Sequence, residues 1–380
     1  MRLNKKIFLF AGLIAVFSFF SCEKEIQEEG YYDWFFLAEK PQLYNVKVND
    51  EYGFINKSGE MIIQSQFKDC QYYLVSNIAW ATNDDEKAGY IDGEGNWIIQ
   101  PTFILAYNFQ DNYARVVLNN GNRAIINKSG GIVFTLPEGW YGYGFSEGMI
   151  RFRNNDRKYG FYNSKGEIVI EGKYDYLYDF SEGLAYFEVE GEYGFINKKD
   201  QIVIFPDYDN AHFFHEGLAS VKKDDKWGFI NDEGETKIDF KYDWAGAFFE
   251  GVSWVELNEK MYIINKAGET KSVNKNIDSW KSFSEDMASF KSNNNEWGFV
   301  NKEGKIIIPP QYANAAYFYG GIAYVEIEDG SAAYIDKTGN IIWKGSVTKS
   351  KSILSKSKHI PSINNEYPEH EAELIKRLKL

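Results

Sequence analysis

The chain has 380 residues, 44% hydrophobic and 17% aromatic, which supplies ample apolar surface for a core and excludes disorder by composition. Its formal charge of −13, from 42 Lys and Arg against 55 Asp and Glu, argues against nucleic acid as a partner, because phosphate neutralisation needs a basic face. Thirty-three Gly against eight Pro, with 27 Tyr and 29 Phe, predict many short strands joined by glycine turns, and two Cys with four His leave little for a metal centre.

Arg2, Lys5 and Lys6 make a basic start, and residues 7–21 form an uncharged apolar stretch of fifteen residues, short for a bilayer span. Ser21 then precedes Cys22, and the chain turns acidic at Glu23, Glu25, Glu28 and Glu29. This order resembles a bacterial lipoprotein signal, with Phe19 and Phe20 standing where that pattern favours Leu and a small residue. The resemblance implies that residues 1–21 are a signal peptide and that Cys22 is the lipidated first residue of the mature chain. It also implies an anchor in the outer membrane, facing the surface or the periplasm. A cleaved secretion signal and an uncleaved anchor are the competing readings. With Cys22 lipidated, Cys70 has no partner; flanked by Phe67 and Tyr72 it reads as a small buried hydrophobe, and a disulfide framework is excluded. Residues 22–41 are expected to serve as anchor linker and cap, the aromatic-rich 31–41 covering the first repeat.

From 42 to 343 the sequence repeats itself. Tyr52-Gly53-Phe54-Ile55-Asn56 returns as Tyr159-Gly160-Phe161-Tyr162-Asn163, Trp227-Gly228-Phe229-Ile230-Asn231 and Trp297-Gly298-Phe299-Val300-Asn301. The second motif position falls at Gly53, Gly89, Ala124, Gly160, Gly194, Gly228, Tyr262, Gly298 and Ala333, nine copies 34 to 36 residues apart. In the fifth copy, Ala185–Val189, Tyr193–Asn197 and Gln201–Ile204 alternate as strands separated by turns at Gly191-Glu192 and Lys198–Asp200, so each unit reads as a three-stranded meander. Asn or Asp precedes the second turn in every copy, where its side chain can bond turn N–H groups, and a Gly three residues later in most copies accepts left-handed φ. Phe109, Phe145, Phe180, Phe214, Phe248, Phe283 and Phe318 recur at one phase and are expected to stack neighbouring units into a core, with sugar-stacking platforms as the minority reading.

These residues resemble the WG repeat family, named for the pair seen at Trp227-Gly228 and Trp297-Gly298. The third, seventh and ninth copies carry Arg123-Ala124, Met261-Tyr262 and Ala332-Ala333 instead and are expected to be flatter or looser. The resemblance transfers architecture and no shared catalytic residues. Two arrangements fit an all-β chain of nine such units: an open β-solenoid-like array, favoured because propeller blades are usually longer, or a closed β-propeller with segments such as 174–180 supplying a fourth strand. Residues 344–380 read as a basic linker and a short C-terminal helix.

Catalytic, cofactor-binding and metal residues are all expected to be absent. His212 and His215 occupy positions that vary between copies, and no Ser-His-Asp spacing or phosphate-cradling loop appears. Glu147, Glu182, Glu216, Glu250 and Glu285 recur in phase, either to meet a cationic partner or to satisfy turns. The expected function is a non-enzymatic protein-binding or scaffolding surface in the bacterial cell envelope, its partner an envelope or surface protein with basic patches. A carbohydrate-binding module using exposed aromatics is the alternative, and a glycan hydrolase the least favoured one.

Overall fold

The computed structural model describes residues 41–345, apart from 111 and 274–276. The expected signal peptide, Cys22, the segment 22–40 and the tail 346–380 with its expected helix lie outside these residues. Within them the nine repeats form nine four-stranded antiparallel sheets, the blades of a closed β-propeller. The alternative arrangement therefore holds, and the favoured open array is corrected. The fourth strand comes from the link between repeats: in the fifth blade Tyr176–Leu177 pairs with Leu184–Val189, followed by Glu192–Asn197 and Ile202–Tyr208. Its two residues are too few to show alternation in sequence. In the first blade the equivalent edge is filled by Tyr73–Leu74, borrowed from the second repeat, which pairs with Leu43 and Tyr44.

The core lies between blades. Phe180 is fully buried against Phe161 of the preceding blade, ring centroids 4.7 Å apart, and Phe214 meets Phe195 at 4.8 Å, Phe248 meets Phe229 at 4.9 Å and Phe318 meets Phe299 at 4.7 Å. In each of these blades one ring of the column thus joins the blade to the one before, and each such buried ring is worth roughly 3–5 kcal/mol against truncation. The turn residues act as read from sequence: the Asn56 carboxamide oxygen accepts the N–H groups of Ser58 and Glu60 at 3.0 and 3.1 Å, and Asp92 accepts those of Glu94 and Asn96 at 2.9 Å each.

The glycine of the repeat motif has a structural cause. A Cβ at Gly194 would stand 2.6 Å from the Ile204 carbonyl oxygen, and one at Gly228 2.8 Å from that of Ile238, because the outer strand bulges over this position. All six blades with Gly here have outer strands of seven residues, such as Ile202–Tyr208. Where Ala124, Tyr262 and Ala333 replace it, the outer strands Ile132–Thr135, Thr270–Ser272 and Ile341–Lys344 are shorter, and that of the seventh blade pairs without a register shift. The departures in the third, seventh and ninth copies thus end in short outer strands.

Among the described residues the ring closes without a shared strand. The turn of the first blade packs Gly59 against Ile342 of the ninth, repeating the contact that Gly130 makes with Ile99 and Gly268 with Ile238 elsewhere. Tyr44 lies edge-on to Tyr334 at 5.6 Å and donates its hydroxyl to the Tyr319 carbonyl at 2.8 Å, while the Tyr334 hydroxyl donates to the Asn45 carbonyl at 3.0 Å. Tyr44, Val46, Ile55, Ile322 and Tyr334 make one buried cluster across this seam.

Candidate interaction surface

The residues singled out in sequence fall into two groups: those consumed in joining blades and those left facing solvent. The recurring glutamates belong to the first. The Glu147 carboxylate accepts the Gly183 N–H of the next blade at 3.1 Å, Glu182 that of Gly217 at 2.8 Å and Glu216 that of Gly251 at 2.9 Å. Glu250 accepts the N–H groups of Glu285 and Asp286 at 2.6 and 2.7 Å, and Glu285 those of Gly320 and Gly321 at 2.9 and 2.8 Å. Lys198, Lys266, Lys302 and Lys337 reach back from the second turn of the next blade to the same glutamates. Against the cost of burial, the Lys266 and Gly251 hydrogen bonds hold the Glu216 carboxyl below its usual range. The in-phase glutamates are inter-blade clamps, which is the turn-satisfying reading of that ladder.

The ladder stops where the ring closes. Gly320 stands in the ninth blade where Glu285 stands in the eighth, at φ +67°, and a Cβ there would overlap the Tyr44 hydroxyl. Only glycine admits both the left-handed backbone and the incoming phenol.

The two histidines are joined into the same framework. His215 shares a hydrogen bond with the Phe248 carbonyl at 2.5 Å, the place filled by the hydroxyls of Ser146, Ser181 and Ser284 in other blades. His212 bonds Ser220 Oγ through Nδ1 at 2.8 Å and stacks on Trp227 at 4.7 Å; burial pulls its pKa down to about 4. Among the described residues no group of three or more His, Cys, Asp or Glu side chains is placed to hold a metal ion. Cys70 is a buried free thiol, as its aromatic flanks implied; burial pushes its pKa up, and Asn45 Nδ2 lies 3.8 Å from its sulfur. Neighbouring Asp69 has its carboxyl pushed up to about 6 by burial, although it accepts the Cys70 N–H at 2.9 Å.

What remains for solvent is an apolar rim. Ile62, Ile98, Ile132, Ile168, Val169, Ile202, Val203 and Ile341 are all exposed on the outer strands, and Phe205 is 73% exposed. They run from the ninth blade through the first to the fifth, and stop at the sixth and seventh, where exposed Thr236-Lys237 and Thr270-Lys271 take the same positions. Pro101, Pro206, Pro309 and Pro310 sit on these outer strands, where a missing N–H discourages indiscriminate pairing of an edge. Sequence reading missed the rim because an exposed Ile in a β-strand looks the same as a buried one. The adjacent pairs Ile168-Val169 and Ile202-Val203 break alternation, and that was the available signal.

A family model for the WG containing repeat matches residues 52–86, 89–121, 159–193, 193–227, 227–260 and 297–330. The chain belongs to this WG repeat family. No curated protein matches it. Among solved structures it is similar in fold to a crystal structure of the eukaryotic initiation factor, 12% identical, with 80% of this chain and 96% of that chain covered and a TM-score of 0.57. Weaker likenesses include BamB from Moraxella catarrhalis, 10% identical over 76% of this chain and 95% of that one at a TM-score of 0.36. Hsv2 from Kluyveromyces lactis is 7% identical over 51% of this chain and 71% of that one, also at 0.36. The WG repeats here build propeller blades, and the family assignment carries no catalytic residue with it.

Proposed function

We propose that this WG repeat propeller is a membrane-anchored bacterial lipoprotein that works without catalysis, as a docking surface for another protein of the cell envelope. The observation that carries this reading is the fifth blade's outer strand, where Ile202, Val203 and Phe205 are all exposed, with further exposed aliphatics on the outer strands of the blades before it, since soluble proteins rarely leave a grouped apolar surface uncovered without a partner. A partner suited to it has an apolar strip flanked by basic residues, since the chain carries a formal charge of −13. The polar groups that recur in phase support a non-enzymatic role, because the glutamates and His215 spend their hydrogen-bonding atoms on neighbouring blades. The context of Cys22 supports the anchor, and the acidic residues after it favour the outer face of the outer membrane over the periplasmic one. Metabolic labelling with a fatty-acid analogue tests the anchor: label should enter the chain and be lost in Cys22→Ser. Protease shaving of intact cells tests the face, since a periplasmic chain survives until the outer membrane is broken. Capture from envelope extracts at low and high salt, beside a broad hydrolase screen, tests the docking role; turnover abolished by changing one carboxylate overturns it.

A further inference from the structure

The outer strand of each blade is a sheet edge, and that of the fifth differs from the rest. Six outer strands are seven residues long, and their fourth position is exposed in every one: Gln64, Gln100, Glu171, Phe205, Asp239 and Pro309. The fold therefore turns this position to solvent whatever occupies it. Only the fifth blade places a large apolar side chain there, 73% exposed. Ile202 and Val203 are exposed on the same strand, which among the described residues has a paired neighbour on one side alone.

We infer that this edge takes an extended basic segment of the partner protein as an added strand, an apolar residue of that segment meeting Phe205 and its Lys or Arg side chains reaching Glu171 and Asp239. The inference rests on the docking role of the rim and specifies how that role is met. Three observations carry it. First, Glu171 and Asp239 hold the aligned position on the blades either side of Phe205, exposed, and among the described residues neither carboxylate makes a hydrogen bond or ion pair. The lysines of those two strands are engaged: Lys173 with Asp200, Lys237 with Glu235, and Lys241 over the Tyr242 ring at 5.2 Å. An aromatic flanked by free carboxylates fits a segment that mixes apolar and basic residues, whereas a second copy of this chain would set an acidic rim against itself. Second, an edge strand with exposed apolar residues is a template for another strand. Pro206 restricts the pairing without preventing it, because its nitrogen lies over Gly194 inside the blade, 2.7 Å from where a Cβ there would stand. Third, this edge is braced as no other is. Asp200, at φ +61°, replaces the turn glycine of the other eight repeats and accepts the Tyr174 hydroxyl at 2.6 Å, as well as Lys173, from the outer strand of the fourth blade. The backbone cost of a left-handed Asp is borne where it ties the strand of Glu171 to the blade of Phe205.

The test titrates the full chain with three fluorescein-labelled peptides and follows anisotropy. One alternates valine and lysine, one alternates valine and glutamate, and the third is the lysine peptide methylated at every backbone amide, which cannot pair as a strand. Saturable binding of the first peptide alone is expected, weakened roughly tenfold in Phe205→Ser. Glu171→Gln combined with Asp239→Asn should weaken it about fivefold and flatten its salt dependence. Asp200→Gly, which restores the repeat's own residue, should weaken it about threefold by releasing the brace. Hydrogen exchange in the bound state should slow over residues 202–208 and on no other outer strand. Phe205, Glu171 and Asp239 are exposed, so an unchanged melting transition in their variants separates a lost site from a misfolded blade. No saturable binding, binding indifferent to Phe205→Ser, or equal binding of the methylated peptide overturns strand addition. Photo-crosslinking from Phe205 in cells reads the docking role by itself. A captured partner that the lysine peptide fails to displace overturns this inference and leaves the docking role standing, while peptide binding with nothing captured does the reverse.

Discussion

The Tyr44 hydroxyl and the Tyr319 carbonyl meet at 2.8 Å across 275 residues of sequence, and among the described residues the ring is shut by this contact and its neighbours, not by a strand exchanged between first and last blades. Tyr44→Phe removes one buried hydrogen bond and should cost about 1 kcal/mol in denaturant unfolding. Gly320→Ala should cost more, because the new Cβ overlaps the phenol at a left-handed φ. Combined, the two should cost less than their sum, since removing the hydroxyl makes room for the methyl group. Strict additivity would show that the overlap is relieved elsewhere.

Glu285 should be a structural carboxylate. Glu285→Ala leaves the N–H groups of Gly320 and Gly321 without their acceptor and should destabilise by about 2 kcal/mol, with Glu285→Gln losing about half of that. A partner-binding role would predict the reverse pattern, unchanged unfolding with weakened capture.

Phe180→Ala removes a fully buried ring between the fourth and fifth blades and should cost about 3–5 kcal/mol. In an open stack the loss would be felt by adjacent repeats. In a closed ring, each blade depends on both neighbours around the circle, so hydrogen exchange should quicken in all nine blades. Loosening confined to the fourth and fifth would mean that the seam at Tyr44 and Tyr334 opens readily.

Asp69 and His212 should oppose each other in acid. Asp69, pushed up to about 6 by burial from an ordinary 3.8, contributes stability present below about pH 3.8 and lost as pH rises through 6. His212, pulled down to about 4 from 6.5, contributes stability present above pH 6.5 and lost as pH falls through 4. Between pH 4 and 6 the two contributions largely cancel. Asp69→Asn keeps an acceptor for the Cys70 N–H and removes the titration, so the variant should gain stability at pH 7 and weaken more steeply than the parent from pH 6 to 4. Parallel stability curves for parent and variant across that range would contradict the buried carboxylate.

The repeat, its turns and its packing rings were legible because each is local: an Asn-led turn such as that at Asn56 or a Phe like Phe180 announces itself within a few residues. The fourth strand was only half legible, since Asn210–Ala211 and Trp244–Ala245 are too short to alternate. Closure was hidden in side chains at opposite ends of the array, Tyr44 with Tyr319 and Tyr334, whose meeting has no sequence pattern. The in-phase glutamates were visible as a ladder, but their acceptor role became evident only when the next blade's N–H groups came into place.

Photo-crosslinking in living cells tests the docking role of the rim most directly. A photoreactive residue in place of Phe205, 73% exposed on the fifth blade, should capture a discrete envelope protein, and Ile202→Asp beside it should abolish that capture without lowering the melting temperature. The same photoreactive residue in place of Lys271, on the polar outer strand of the seventh blade, should capture nothing discrete. Equal capture from Phe205 and Lys271, or none from Phe205 in cells that display the folded chain, would contradict the account.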